Sequence, residues 1–170
     1  MIYKWLYKTP SEFDDILMNS DGEYLTGLCF IGSKDENKQI VNCKEKELPI
    51  FKETRKWLDI YFNGDIPDFT PEYKFYNLSY FTMEVIEYIK KIPYGKTIPY
   101  GDMASNIAKK KKIKQMSSQA VGGAVGRNPI CIIIPCHRVM GANNKLTGFG
   151  GGLNNKINLL KKEGYNEYKK

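Results

Sequence analysis

The run Ile130-Cys131-Ile132-Ile133-Ile134-Pro135-Cys136-His137-Arg138-Val139 contains the most apolar segment of this 170-residue chain. Such a dense series of isoleucines predicts a buried strand or another buried extended segment. Pro135 fixes φ and lacks a backbone donor, so a regular strand has to end before Cys136. Cys136 is therefore expected where the ordered core gives way to a turn.

Cys136 and the adjacent His137, the only histidine of the chain, form a candidate nucleophile and base. The thiolate is the reactive form of cysteine, and an imidazole can accept its proton directly or through a water molecule. Neighbouring side chains of an extended segment point to opposite faces, so a direct contact requires a bend at Pro135. Taken alone, the pair is equally compatible with a buried, inert cysteine beside an unrelated histidine.

Glycine-rich blocks flank the pair on both sides. They are Ala120-Val121-Gly122-Gly123-Ala124-Val125-Gly126-Arg127-Asn128-Pro129 before it, and Leu146-Thr147-Gly148-Phe149-Gly150-Gly151-Gly152-Leu153 and Leu159-Leu160-Lys161-Lys162-Glu163-Gly164 after it. With Pro-Cys-His-Arg between them, these blocks resemble the O6-alkylguanine-DNA alkyltransferase family, also called methylated-DNA–protein-cysteine methyltransferases. The resemblance covers about residues 79–164 well and the first seventy or so only loosely.

This resemblance implies DNA repair by direct, irreversible, single-turnover transfer of an alkyl group, such as methyl, to Cys136. The donor would be O6-alkylguanine, with O4-alkylthymine as a second candidate. His137 would take the thiol proton through a water molecule, and Glu163 would orient and stabilise His137. Tyr100 would donate a hydrogen bond to the guanine ring, and Asn128 would brace the turn beside the site.

The same resemblance assigns the pocket around the base. The carbonyl groups of Cys136 and Val139 would accept the exocyclic amine of guanine. Phe149 would form a wall of the pocket, and the amide of Gly150 would lie near O6. No cofactor is implied. The first 72 residues contain Cys29 and Cys43 but no histidine, so a structural zinc site is not expected.

The sequence departs from the family pattern at three positions. Gln119, seventeen residues before Cys136, stands where many members carry an intercalating arginine, which bears on DNA affinity. Phe149 replaces a tyrosine seen in some members, and Cys131 is an unusual second thiol near the pocket. The last two bear on the range of substrates.

Charge is distributed unevenly along the chain. Residues 1–72 contain 9 Lys/Arg and 14 Asp/Glu, a net of −5, whereas residues 73–170 contain 17 and 5, a net of +12. This asymmetry favours a polyanionic partner for the C-terminal part, although a merely solvated basic surface would give the same counts. The family resemblance implies that the partner is double-stranded DNA that carries O6-alkylguanine. No apolar run is long enough to span a membrane. A monomer in the reducing cytoplasm is expected.

Hydrophobic patterning predicts an α/β (α+β) fold. The N-terminal domain, residues 1–72, would be a small β-sheet-plus-helix unit, ribonuclease H-like by family resemblance, that ends in a linker. The C-terminal domain, residues 73–170, would be mostly helical and contain the active-site cysteine. The individual predictions are strands at 3–8, 24–31 and 39–42 and helices at 49–62, 79–92, 101–110 and 116–125.

The last two predicted helices, joined by a lysine-rich turn, form a helix-turn-helix candidate. The second helix carries small residues and few long donors for base edges, so it would read sequence poorly but approach DNA closely. In the family, this helix enters the minor groove. The resemblance assigns DNA contacts to Gln119, Ser118, Ala120, Gly123 and Arg127.

Two other classes of protein share parts of this pattern. A non-catalytic alkyltransferase-like protein binds lesions but lacks the acceptor cysteine, which Cys136 argues against. A cysteine hydrolase unrelated to DNA would need neither the strongly basic C-terminal half nor the helix-turn-helix.

Overall fold

The computed structural model describes residues 1–38 and 42–169. Its N-terminal half contains a four-stranded sheet with the strand order β3-β2-β1-β4. The strands are β1 (Ile2–Tyr7), β2 (Ile16–Ser20), β3 (Leu25–Phe30) and β4 (Cys43–Glu45). Strand β1 pairs antiparallel with β2 and parallel with β4, while β2 pairs antiparallel with β3. Sequence patterning did not indicate β2, and residues 39–41 of the predicted strand at 39–42 lie outside the described residues.

Helix α1 (Pro49–Phe62) has the predicted bounds. Pro49 suits the first position of the helix, because a backbone N–H there would have no carbonyl partner within the helix. Gly64, which has a positive φ, follows the end of the helix. Its buried side chains repeat at helical spacing: Ile50, Phe51, Thr54, Trp57, Leu58, Tyr61 and Phe62. Phe62 stacks on Tyr7 of β1, with 6.0 Å between ring centroids, so α1 packs on the sheet.

The C-terminal half is mostly helical, as predicted. Its elements are α2 (Tyr80–Lys90), α3 (Tyr100–Lys111), α4 (Ser118–Val125) and α5 (Leu153–Lys162), with β5 (Ile98–Pro99) paired in parallel to β6 (Val139–Met140). The hydroxyl of Ser79 accepts from Thr82 N and that of Ser117 from Ala120 N, which caps α2 and α4. Patterning did not indicate α5.

The predicted strand at the isoleucine run is wrong, although its burial is correct. Only Ile130 forms a bridge, to Leu28 of β3, and the chain then turns. Ile132 has a φ of +68°, a conformation in which a β-branched residue is rare, and Ile133 N donates to the carbonyl of Cys131 at 2.8 Å. Asn128 stabilises these turns, because its amide donates to the Ile134 carbonyl at 2.9 Å and its oxygen accepts from Ile130 N at 3.0 Å.

A continuous hydrophobic core joins the two halves. It includes the inner residues of the sheet and α1 together with buried residues of α2, α3, α4 and the 130–139 run. Among the described residues, no helix is long and apolar enough to cross a membrane. The predicted mixed class, a sheet with one helix followed by a mostly helical part, is confirmed; the ribonuclease H-like comparison and the boundary at residue 72 stay predictions.

Candidate active site

The acceptor candidate lies on a tight turn. Pro135 has φ −80° and ψ 63°, which is an inverse γ-turn, and Cys136 N donates to the Ile134 carbonyl at 2.8 Å. A single 3₁₀ turn, Cys136–Arg138, follows. This is the bend that sequence reasoning required at Pro135. Cys136 is buried, with 6% of its surface exposed, and no disulfide links the four cysteines, all of which lie in the described residues.

His137 and Glu163 form a buried pair. The imidazole Nε2 lies 2.7 Å from Glu163 Oε2, and both side chains are fully buried. A carboxylate partner on Nε2 favours the tautomer with the proton on that nitrogen, which leaves the lone pair on Nδ1. Within residues 1–38 and 42–169, Nδ1 has no hydrogen-bond partner. The pair therefore presents a basic nitrogen one residue from the Cys136 thiol.

Glu163 accepts hydrogen bonds from several groups besides His137. Arg138 donates through Nε to Oε1 at 2.8 Å and through Nη2 to Oε2 at 3.0 Å. The backbone N–H of Gly95 donates to Oε1 at 3.1 Å, and the Tyr61 hydroxyl donates to Oε2 at 2.6 Å. A side chain at Gly95, where φ is +77°, would come within 3.0 Å of the Glu163 carbonyl oxygen. The turn at Gly95 can therefore approach Glu163 this closely only because residue 95 is a glycine.

These contacts set the charge of the pair. Burial would raise the pKa of the Glu163 carboxyl, but the neighbouring His137 and Arg138 hold the pKa well below its usual range. Burial lowers the pKa of His137, and Glu163 offsets part of this effect. At neutral pH the carboxylate is therefore ionised and the imidazole is available as a neutral base.

A buried cation lies next to this pair. Lys156 of α5 is fully buried, and its Nζ donates to the Val139 carbonyl at 2.8 Å. Burial lowers the pKa of Lys156 to about 8, an effect that a Cys136 thiolate would oppose. A cation close to a thiol favours its ionised form. Nothing in the sequence distinguishes Lys156 from the other lysines of its polar segment.

Tyr100 and Val139 come together through the small parallel sheet. Ile98 pairs with Val139 and Pro99 with Met140, and Tyr100 begins α3 immediately after β5. Tyr100 therefore directly follows the residue that pairs with Met140, and it lies close enough to Cys136 for a charge on that thiol to act on the phenol. Burial raises the pKa of the Tyr100 phenol, and so would a charge on Cys136, so Tyr100 stays a hydrogen-bond donor.

The loop at Phe149 and Gly150 contacts the N-terminal half. Asp35 N donates to the Gly150 carbonyl at 3.1 Å, and a side chain at position 150 would overlap the Asp35 carboxylate. The Phe149 ring lies 5.9 Å from Lys156 Nζ, measured to the ring centroid. Phe149 is therefore linked to the Cys136–Val139 segment through Lys156, whereas the contacts of Gly150 are with Asp35.

The residues assigned to DNA contacts lie on or just after α4. Ser118, Gln119, Ala120, Gly123 and Arg127 are all exposed. Gln119 and Ser118 border a groove of about 620 Å³ between α3 and α4, which Lys109 and Lys114 also line. Together they form an open, basic face with small side chains, as expected for close contact with a polyanion.

Comparisons with known proteins agree with this geometry. A family model described as the DNA-binding domain of 6-O-methylguanine DNA methyltransferase matches residues 80–165. A methylated-DNA–protein-cysteine methyltransferase of Haemophilus influenzae is 39% identical, covering 93% of this chain and 86% of its own length. The protein of the same name from Methanosarcina acetivorans is 39% identical over 96% of this chain and 99% of its own.

The chain belongs to the methylated-DNA–protein-cysteine methyltransferase family. The O6-methylguanine methyltransferase of Mycobacterium tuberculosis has a TM-score of 0.78 at 32% identity, covering 96% of this chain and 93% of that one. A structure of the M. tuberculosis protein in complex with DNA has the same TM-score and identity. The predicted family, the enzymatic class and DNA repair by alkyl transfer to a cysteine are confirmed, as is DNA binding.

Within this methyltransferase, the structure brings several predicted site residues close to one another. Hydrogen bonds and chain neighbours connect Cys136, His137, Glu163, Asn128 and Val139. Tyr100 follows the strand that pairs with Val139, and Phe149 and Gly150 lie on a further loop. The helix α4 residues form a separate, exposed face. Sequence reasoning missed Tyr61, Gly95, Arg138 and Lys156. Of these, only Arg138 stood inside a motif, so proximity to Cys136 was the one available signal.

Proposed function

We propose that Cys136 is the acceptor and that His137 and Glu163 activate it. The observation that carries this proposal is the buried 2.7 Å contact between His137 Nε2 and Glu163 Oε2, one residue from the thiol. It occupies one imidazole nitrogen and leaves Nδ1 to take the thiol proton through a water molecule. The ionised Glu163 stabilises the imidazolium that forms.

The reaction is a displacement at the alkyl carbon. The Cys136 sulfur forms a bond to that carbon while the bond from the carbon to O6 breaks, and the electron pair remains on guanine. The proton taken from the thiol passes from the imidazole to the departing guanine. The product is a thioether, and no second nucleophile or cofactor is assigned to reverse it, so each molecule reacts once.

The remaining site residues bind the base. Tyr100 donates a hydrogen bond to the guanine ring, where it offsets charge as the base departs. The carbonyls of Cys136 and Val139 accept the exocyclic amine, Phe149 forms a wall, and Gly150 N–H lies near O6. Val139 O has a second lone pair beside the one that Lys156 uses. Asn128 keeps the turn rigid.

The substrate is double-stranded DNA with O6-alkylguanine, with O4-alkylthymine as a second candidate. Because O6 is hidden in the duplex, the nucleotide has to be extruded into the pocket. Ser118, Gln119, Ala120, Gly123 and Arg127 contact the DNA, and Gln119 fills the gap left by the base. The protein acts as a monomer, since the relay is complete within one chain. The thiol favours a reducing, cytoplasmic location.

The domain assignment stays part of this proposal. Residues 1–72 are the supporting domain with its linker, and residues 73–170 are the DNA-binding and transfer domain. A non-catalytic lesion binder is disfavoured by the thiol, and a hydrolase unrelated to DNA is disfavoured by the family match at 80–165.

The decisive experiment is mass spectrometry of the protein after incubation with one equivalent of duplex that contains O6-methylguanine. The intact mass should rise by one methyl group, located in the peptide that contains Cys136. Cys136→Ser should abolish the gain, while the matched variant Cys131→Ser should keep it. Methylation of Cys131 or repeated turnover would exclude the assignment.

A further inference from the structure

We infer that Tyr61, on α1 of the N-terminal half, is a positioning residue for the His137–Glu163 pair. This inference rests on the proposed relay. Tyr61 lies 102 residues before Glu163, yet its hydroxyl donates to Glu163 Oε2 at 2.6 Å. His137 Nε2 contacts that same oxygen at 2.7 Å. The phenol therefore acts on the oxygen that orients the imidazole.

The Tyr61 ring has little freedom to move. It is 1% exposed and stacks on Trp57, with 5.5 Å between centroids and 9° between ring planes. Phe62 and Tyr94 pack against it edge-on, at centroid distances of 5.4 and 6.2 Å. Because α1 and its aromatic neighbours fix the ring, the hydroxyl is preorganised towards the carboxylate.

Packing alone does not explain the hydroxyl. A phenylalanine would fill the same space, whereas a buried hydroxyl costs free energy unless it is hydrogen-bonded. Burial and the charge of Glu163 raise the pKa of Tyr61 well above its ordinary value. The group is therefore a permanent donor throughout the pH range in which the protein works.

The hydroxyl adjusts how strongly Glu163 acts on His137. A carboxylate oxygen that already accepts from Tyr61 and Arg138 has less charge available for the imidazole. Without the Tyr61 donor, Glu163 would stabilise the imidazolium more, so the pKa of His137 would rise. A larger fraction of His137 would then be protonated near neutral pH and unable to take the thiol proton. The loosened carboxylate would also hold the ring less rigidly.

The test is the pH dependence of single-turnover methyl transfer from an O6-methylguanine duplex to the full-length chain. Tyr61→Phe should slow transfer about tenfold at neutral pH, the size expected for a hydrogen bond to a charged group. The acidic limb of its rate profile should shift to higher pH. Duplex affinity should be unchanged, because α4 is untouched.

A matched control is Tyr7 of β1, which hydrogen-bonds to the same helix. The Tyr7 hydroxyl donates to Asp59 Oδ1 of α1 at 2.7 Å, without contact to Glu163 among the described hydrogen bonds. Tyr7→Phe removes an equivalent bond and should leave the pH profile in place. If Tyr61→Phe and Tyr7→Phe give the same profile, the inference is wrong.

A double variant separates positioning from general destabilisation. In the His137→Ala background, Tyr61→Phe should cause no further slowing, because the group it acts through is gone. Equal slowing in both backgrounds would show a merely structural role. If His137→Ala itself reacts at the wild-type rate, the proposed relay fails; if it is slow while Tyr61→Phe matches wild type, only the role of Tyr61 fails.

Discussion

Glu163 collects hydrogen bonds from distant parts of the chain. Among the described residues it accepts from Tyr61, Gly95, His137 and Arg138, which lie on α1, on the turn after α2 and beside the acceptor. The two oxygens of Glu163 have four lone-pair sites and accept from five donor groups. These hydrogen bonds keep the carboxylate ionised and fix its position. In the proposed relay, this fixed carboxylate keeps the His137 imidazole in one orientation.

Glu163→Gln should therefore slow methyl transfer at least tenfold, since a neutral amide cannot stabilise the imidazolium. It should also alter acid stability. The folded-state pKa of Glu163 lies below its unfolded value of 4.5, so its contribution to stability is complete above that pH and is lost as the pH falls further. Denaturant unfolding of both proteins between pH 7 and 3 measures this loss.

The contradicting outcome is an equally steep acid loss in Glu163→Gln and wild type, because the group would then contribute nothing to the pH dependence. Duplex binding, measured in parallel, should stay close to wild type and serves as the control for folding.

Residues of the site differ in how well sequence could indicate them. Cys136, His137 and Asn128 stand in compact motifs, so the chemistry was predictable from their neighbours. Tyr61 stands at helical spacing with other apolar residues of α1, a pattern that is typical of core packing, and it does pack. Its second role depends on a partner 102 residues away, for which local patterning has no signal. Lys156 was not predicted either, because its partner, the Val139 carbonyl, lies 17 residues away in the chain.

At the scale of elements, helices with defined ends were predictable. Helix α1 begins at a proline and ends before Asn63-Gly64, and the caps Ser79 and Ser117 start α2 and α4. The polar Leu153–Lys162 segment follows a run of glycines and has no side-chain cap, so α5 gave no comparable signal. Local sequence signals indicate where a helix begins and ends, but they do not indicate whether a polar segment such as 153–162 forms a helix.

The isoleucine run shows the opposite error. Its composition favours a strand, but Asn128 and Pro135 impose turns at either end of it. A positive φ at Ile132 costs of the order of 1–3 kcal/mol. Tertiary contacts offset this strain, since Ile130 pairs with Leu28 and the side chains are buried. The turns, rather than a strand, present Cys136.

Helix α4 permits a test of the DNA-entering role. Gln119 is exposed on its first turn and brings no charge. Gln119→Arg should bind duplex more tightly and steepen the log–log salt slope by at most about one unit, because one more phosphate is neutralised. Titrations at several salt concentrations give the slope.

The second variant is Gln119→Ala, which preserves the helix but removes the side chain proposed to fill the gap left by the extruded base. It should slow repair of duplex more than reaction with free O6-methylguanine, since only duplex requires extrusion. Identical salt slopes for all three proteins, with equal slowing on duplex and free base, would remove this residue from the mechanism.

At the scale of the molecule, the N-terminal half does more than cover the core. Asn155 of α5 donates to Asp14 Oδ2 at 3.0 Å and to the Gly151 carbonyl at 2.7 Å, which ties the pocket loop to the segment before β2. Asp35 N holds Gly150, and Tyr61 reaches Glu163. Loop, relay and sheet are thus one connected body. Sequence indicated two parts but not this coupling, because the contacts between the two halves join residues far apart in the chain.

The charge asymmetry is also a property of the whole molecule, and it predicts which face meets DNA. Lys114 is exposed in the turn between α3 and α4, whereas Glu53 is exposed on α1 of the acidic half. If the basic half binds the duplex, Lys114→Glu should weaken binding and reduce the salt slope by about one unit. Glu53→Lys should leave both nearly unchanged, because charges farther than about 10 Å from the phosphates are screened at 0.1 M salt.

The two variants change net charge by equal and opposite amounts, so the pair separates a local contact from a general effect of charge. Lys114 lines the groove between α3 and α4, but neither residue contacts Cys136, His137 or Glu163 in the hydrogen bonds described above, so methyl transfer at saturating DNA should match wild type in both. Equal and opposite changes in affinity would mean that the net charge of +7, rather than the face formed by α3 and α4, governs binding. A large gain from Glu53→Lys alone would place the duplex against α1 instead.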